Sequence, residues 1–116
     1  WTEPVKMQGA LTGDRHCARY LKDGRLFISF RDTCLESPTR GDWCAWLGTY
    51  EDIKNGHEGQ YRIRIMKNHR GMDCAYPGVE VLPDGTVVTI TYGHWTPGEE
   101  PYIVAVRIRP KDLPTA

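Results

Sequence analysis

Few side chains in this 116-residue sequence carry chemistry, and their spacing narrows what that chemistry is. Cys17, Cys34, Cys44 and Cys74 contain no C-x-x-C pair, and His57, His69 and His94 are scattered. No metal-binding spacing emerges, so neither a metal nor another cofactor is expected. The thiols read as buried and free, or as two disulfides if the chain is secreted. Arg15 and Tyr76 stand 61 residues apart, a separation that recurs in the backbone pattern. A guanidinium offers paired donors at carboxylate spacing and stays charged. Asp14, beside Arg15, and Glu80, four residues after Tyr76, are the candidate carboxylates to orient the Tyr76 phenol. His16 follows Arg15 and belongs to the same group. The plainer readings are a core tyrosine at a strand start and a Glu80 that faces a neighbouring strand.

These residues need a scaffold, and the sequence reads as all-β. Leu26, Ile28 and Phe30 alternate along one run after the turn Asp23-Gly24, and Val87, Val88 and Ile90, with Thr89 and Thr91 between, follow the turn Pro83-Asp84-Gly85. Tyr61, Ile63 and Ile65, and Val104, Val106 and Ile108, make two further period-2 runs. Strands are expected over 14–22, 25–31, 42–50, 60–66, 76–82, 86–92 and 102–109. No long stretch keeps a helical period; short helical turns are expected near Glu51-Asp52-Ile53 and Lys111-Asp112-Leu113.

The strands repeat. Leu21-Lys22-Asp23-Gly24-Arg25-Leu26 aligns with Leu82-Pro83-Asp84-Gly85-Thr86-Val87 at the 61-residue offset. The same shift carries 43–50 onto 104–111. A repeat of this length built from three or four strands predicts blades of a β-propeller, about two of them here. The divisions are 1–13 as the outer strand of a preceding or neighbouring blade, 14–70 as a first blade, and 71–116 as three strands of a second. Pro4 suits an outermost strand. The offset puts Arg15 and Tyr76 at one position of adjacent blades, at the start of the inner strand, where blades converge. Two D-G hairpins in one β-sandwich of structural role is the competing architecture.

Fifteen Lys and Arg balance fifteen Asp and Glu, so charge gives no reason to expect nucleic acid or an anionic membrane. No apolar run approaches the ~18 residues that span a bilayer.

Three segments resemble the sialidase-like (BNR, or Asp-box, repeat) propeller family. W-T-E-P-V at Trp1 to Val5 looks like the sequence just after an Asp-box, with Trp1 as its last residue. L-K-D-G-R-L-F-I-S-F-R at Leu21 to Arg31 is similar to a strand–turn–strand that ends in a substrate-binding arginine. C-A-Y-P-G-V-E-V-L-P-D-G-T-V-V-T-I-T-Y at Cys74 to Tyr92 looks like the segment whose first tyrosine is the nucleophile. The resemblance implies a six-bladed propeller and a glycoside hydrolase acting on sialic acid or a related acidic sugar. It implies a Tyr76 nucleophile, because a carboxylate nucleophile would repel the substrate's own carboxylate. It also implies Arg31 and Arg40 in the arginine clamp, and a secreted or periplasmic location. An acidic residue occupies roughly the place of Arg15 in that family, so the chain departs from the pattern there.

The first arginine and the acid/base aspartate of that family lie upstream of anything in this sequence. The expectation is therefore either a part of a longer hydrolase or a subunit, three copies of which close a six-bladed ring. The alternative function is a non-catalytic carbohydrate-binding module assembled from several copies. Among aromatics, Trp43, Trp46 and Trp95 are able to stack on a sugar face. Trp95 is the expected one, since it sits in the turn-rich segment Tyr92 to Gly98.

Overall fold

A computed structural model describes all residues from Trp1 to Ala116. The chain is mostly β, in two antiparallel sheets. The first sheet has strand order β1-β2-β3-β4, with β1 Gly13–Tyr20, β2 Leu26–Asp32, β3 Trp43–Gly48 and β4 Tyr61–Met66. The second has order β5-β6-β7, with β5 Gly78–Val81, β6 Val87–Gly93 and β7 Tyr102–Ile108. Neither sheet closes on itself.

All seven expected strands are present, with ends shifted by up to two residues. β3 ends at Gly48 because Thr49 caps the helix α1, Tyr50–Asn55, in a reciprocal box with Asp52. β5 starts at Gly78 because Ala75 and Tyr76 have positive φ and Pro77 has no N–H to give a ladder. The second expected helical turn is a 3-10 turn, Pro110–Asp112. The expected outer strand before the first sheet is different: Trp1–Gln8 pairs with no strand of this chain, and Gly9–Leu11 forms a 3-10 turn. Leu11 there is buried against Leu26, Ile28, Phe30, Cys44 and Trp46, so the 3-10 turn covers a face of the first sheet.

The repeat is visible in the register. Cys17 faces Ser29 and Tyr20 faces Leu26 in the first sheet; Gly78 faces Ile90 and Val81 faces Val87 in the second, each 61 residues on. The bridge Cys74–Gly93 repeats the pair Gly13–Asp32. Both turns are closed alike, by Leu21 with Arg25 and by Leu82 with Thr86, and the turn aspartates Asp23 and Asp84 each accept from the amide two residues on. The third strands depart from the expected constant offset. Arg31 faces Trp43 and Tyr92 faces Ile103, so the offset there is 60, one residue having been lost from the connection.

The sheets pack through one face of each. Phe27, Ala45 and Leu47 of the first meet Val79 and Val87 of the second, with Leu21 beneath the turn. The period-2 alternation makes this seam: one side of each strand is apolar, and a one-residue slip would expose it. Trp43 and Trp46 are fully buried on opposite faces of the first sheet. A polar node pins the seam, since the Ser29 hydroxyl accepts from Trp43 Nε1 at 2.8 Å and lies 3.0 Å from the Thr89 hydroxyl. Its partners are inside the protein, as burial of polar groups requires.

Candidate functional site

The site forms where β1 and β5 begin. β1 carries a bulge between Asp14 and Cys17, and within it Arg15 takes the left-handed conformation with φ 60°. Sixty-one residues on, Tyr76 has φ 105° and Ala75 φ 73°. These are the three non-glycine residues of positive φ in the chain. Such backbone costs of order 1–3 kcal/mol per residue and persists only where its surroundings impose it. A bulge re-aims side chains that the pleat would otherwise send to alternate faces. Here it turns Arg15 toward the second sheet.

Arg15 and Tyr76 meet as a result. The Arg15 guanidinium carbon lies 3.9 Å from the Tyr76 ring centroid, within cation–π range. Arg15 Nη1 donates to the Cys74 carbonyl at 2.7 Å. The Tyr76 side of the pair is open, with the residue 71% exposed.

Arg31 stands behind this pair, at the far end of β2. Its Nε donates to Asp14 Oδ1 at 2.8 Å, Nη2 donates to the other oxygen, and Nη1 donates to the Met72 carbonyl. The Asp14 hydrogen bonds raise the Arg31 pKa further above an already high value. Arg31 is therefore engaged inside the protein through three of its donor directions.

Tyr92 fills in the second sheet the position that Arg31 fills in the first. Its hydroxyl donates to Asp73 Oδ1 at 3.0 Å, and Asp73 Oδ2 is 2.7 Å from His94 Nε2. Hydrogen bonds from His94 and then Tyr92 pull the Asp73 pKa below the usual carboxylate range. With Asp73 ionised, His94 Nε2 is the donor. Burial first, and then the bond to Asp73, push the Tyr92 phenol upward, while the Arg15 guanidinium pulls against them.

The remaining expected residues lie as follows. Asp14 is at the site but committed to Arg31. Glu80 is exposed, and its Oε1 accepts from the Val81 amide at 3.2 Å; it makes no bond to Tyr76. Arg40 is exposed, and its side chain makes no hydrogen bond or ion pair. His16 does not join the group. Its ring stacks on Phe30 at 5.0 Å and its Nε2 is 3.0 Å from the Leu11 carbonyl, on the opposite face, as the pleat sends adjacent residues to opposite sides.

Trp95 also corrects the expectation. It is 6% exposed and packs at 5.5 Å against Trp43, with Cys74 and Ala75 around it. Gly93 makes room for its ring, since a Cβ there would lie 2.3 Å from Trp95. Its turn-rich surroundings look like a surface loop, yet its ring is a core wall and offers no face to a sugar. Trp43 and Trp46 are equally enclosed. The four thiols are free, with Cys44 and Cys74 buried and Cys17 and Cys34 half-buried.

Asp73, His94 and Tyr92 were not anticipated, although the repeat contained the signal. Tyr92 is the counterpart of Arg31 by the same offset that links Arg15 to Tyr76. The Cys74–Gly93 bridge then puts Asp73 beside His94, one step further along both segments. Comparison with protein-family models, with curated proteins and with solved structures finds no match.

Proposed function

We propose that the chain contributes two blades to a sialidase-like propeller and takes the carboxylate of an acidic sugar, such as a sialoside, beside Tyr76. The observation that carries this reading is the contact of Arg15 with Tyr76, two equivalent positions of successive sheets, both in strained backbone and at the converging strand starts. Strain at a half-buried Arg15 and an exposed Tyr76 points to function. Arg15 supplies a charge for the carboxylate, and Arg40 is an uncommitted cation.

In the hydrolytic form of this proposal the Tyr76 oxygen bonds the anomeric carbon as the glycosidic C–O bond breaks. The phenol proton passes to a carboxylate, and the leaving oxygen takes a proton from an acid. Within this chain Asp14 is tied to Arg31 and Glu80 to a backbone amide, so both proton carriers would come from outside the two sheets. That commitment, together with the engagement of Arg31, favours a second reading: a carbohydrate-binding site without turnover.

A ring of copies is the assembly we propose. The open face of the second sheet bears Val88, Ile90, Tyr92, Ile103 and Ala105. By the offsets of 61 and 60, these are the counterparts of Phe27, Ser29, Arg31, Trp43 and Ala45, the face of the first sheet that the second covers. Ile103 is 69% exposed and Ile90 44%. The internal seam thus has a continuation with nothing on it, and a second copy is the occupant we assign. The alternative is a further part of a longer chain.

Incubation with a fluorogenic sialoside, comparing native protein with Tyr76→Phe, tests the function. Turnover abolished by the substitution supports the nucleophile. Turnover that survives it removes Tyr76 from that role. Saturable binding of N-acetylneuraminate without turnover selects the binding reading, and absence of both rejects the acidic-sugar site.

A further inference from the structure

The second sheet has three strands where the first has four, and its last strand, β7, pairs on one side only. The backbone N–H and C=O groups along the other side of β7 have no ladder, and such an edge is a template for a further strand. Residues 1–8 of the same chain pair with no strand. A vacant edge and a spare segment thus coexist, and the repeat relates them.

The repeat extends upstream of β1. The Thr12 amide donates to the Gly9 carbonyl as the Asp73 amide donates to the Arg70 carbonyl, 61 residues on. Carried further back, the same offset lays residues 1–5 on residues 62–66, the body of β4. The spare segment is therefore the counterpart of the fourth strand that the second sheet lacks.

Pro4 tests whether that alignment is physically allowed. In the first sheet Trp43 faces Met66 and Cys44 faces Arg64, so Ile65 is the extra residue of a bulge and has no partner across the ladder. The counterpart of Ile65 is Pro4. Proline has no N–H for a ladder and is tolerated in a sheet at an edge or a bulge. It occupies the one position of the five where the pairing is already interrupted.

A register follows. With the offset of 60 between the third strands, residues 103–106 stand for residues 43–46. Val5 comes opposite Ile103, Glu3 opposite Val104, Thr2 opposite Ala105 and Trp1 opposite Val106. Opposed residues share a face of the sheet. Trp1 then lies on the side of Val104 and Val106, which are half-buried against the cluster of Trp43, Cys74, Ala75 and Trp95. Val5, 83% exposed in the single chain, meets Ile103, 69% exposed.

The root of the segment is fixed. Gln8 Nε2 donates to the His57 carbonyl at 2.7 Å, the Ala10 amide to Glu58 Oε2 at 2.9 Å, and Arg62 Nε to the Ala10 carbonyl at 3.1 Å. Residues 1–7, all exposed, thus leave from beside β4, the outermost strand of the first sheet.

We propose that residues 1–5 of one copy add to β7 of a second copy as its fourth strand, antiparallel and in the register given. The occupant is a second copy because one chain carries both the unpaired strand and the unpaired edge, and the two match in register. Main-chain hydrogen bonds supply the affinity of such strand addition, and the alternating side chains its specificity. The exchange names a contact that links copies in the ring proposed above, and it rests on that reading for its partner.

Light scattering of the full chain, compared with a chain lacking residues 1–7, is the test. The deletion removes no buried residue and keeps Gln8 and the turn after it, so the shortened chain should fold. The full chain is expected at a multiple of one chain's mass and the shortened chain at one. A multiple that survives the deletion overturns strand exchange and leaves the face-to-face contact of the ring. A multiple of two that the deletion reduces to one supports strand exchange and rejects a ring of three. A full chain at the mass of one overturns both. Should the shortened chain fail to fold, register decides. Thr2→Cys with Ala105→Cys is oxidised beside Thr2→Cys with Ile103→Cys, which is two residues out of register and carries the same native thiols. Disulfide-linked pairs of chains at least tenfold more abundant in the first are expected, and equal yields overturn the proposal.

Discussion

Arg15 and Tyr76 are 61 residues apart in sequence and 3.9 Å apart in space, guanidinium carbon to ring centroid. Each stands in left-handed backbone at the same step of its own sheet. The contact is a product of the repeat, since a frame laid down twice brings one strand start beside the next.

The strain at Tyr76 should be measurable. Glycine adopts φ 105° without steric cost, and a residue 71% exposed loses little burial when removed. Tyr76→Gly is expected to raise unfolding free energy by about 1 kcal/mol in urea denaturation. Tyr76→Ala, which keeps the strain, should leave it near native. Loss of stability in Tyr76→Gly comparable to that of a core truncation would show that the ring is a structural anchor.

Acid should weaken the fold through Asp32. Burial pushes its pKa up, but bonds from the Ser37 and Thr39 hydroxyls, the Cys34 amide and Arg62 outweigh burial, and the net shift is downward. A folded pKa below the unfolded value of about 3.9 means that the unfolded chain binds more protons near pH 4. The contribution is therefore complete above about pH 4 and drains as pH falls through the folded value. Asp23, Asp52 and Asp73 are depressed too and act in the same window. Asp32→Asn, which leaves Arg62 without its anion, is expected to cost about 3 kcal/mol at pH 7 and to flatten the acid limb. A melting curve series from pH 2 to pH 7 checks both.

Thiol labelling should divide the cysteines in two classes. Burial raises Cys44 to about 11 and Cys74 to about 12. The thiolate is the reactive form, so both are inert at pH 8. Native protein should release colour with a disulfide reagent from Cys17 and Cys34 only, and from all four after denaturation. Rapid labelling of Cys74 in native protein would show that the seam beside Trp43 opens.

The open face of the second sheet carries the assembly prediction. Light scattering of the native protein is expected to return three times the 13.3 kDa chain mass, and Ile103→Glu should reduce it to one. Ile103 contributes little burial within a single chain, so the substituted chain should still fold. A native mass of a single chain with cooperative unfolding rejects the ring of copies.

Much of the fold was legible because period-2 alternation and two D-G turns are local signals. The alternation in Leu26 to Phe30 set strand and turn together, but in Val87 to Thr91 the apolar Val88 and Ile90 pointed to the wrong face, since Thr89 and Thr91 are the buried ones and Ile90 is exposed. The counterpart relation between Arg15 and Tyr76 was legible for the same reason. What escaped was set by contacts between distant segments. Trp95 sits among turn residues, and only Trp43 beneath it and the space left by Gly93 bring it indoors. Arg31 and Asp14 were each singled out, yet their bond to one another arises from the bulge, which has no signature in composition. Asp73 and His94 lay outside any strand pattern, and their pairing follows from a single bridge.

The two sheets share a frame but not a charge. Asp14 and Arg15 on the first are answered by Ala75 and Tyr76 on the second, and Arg31 is answered by Tyr92. Two identical copies of the frame would have presented a ligand with interchangeable ends. The present one is cationic on one side and phenolic on the other, so it has a direction. A ligand with an acid at one end and hydroxyls at the other would meet different chemistry in its two orientations, and that asymmetry comes from different side chains at equivalent backbone positions.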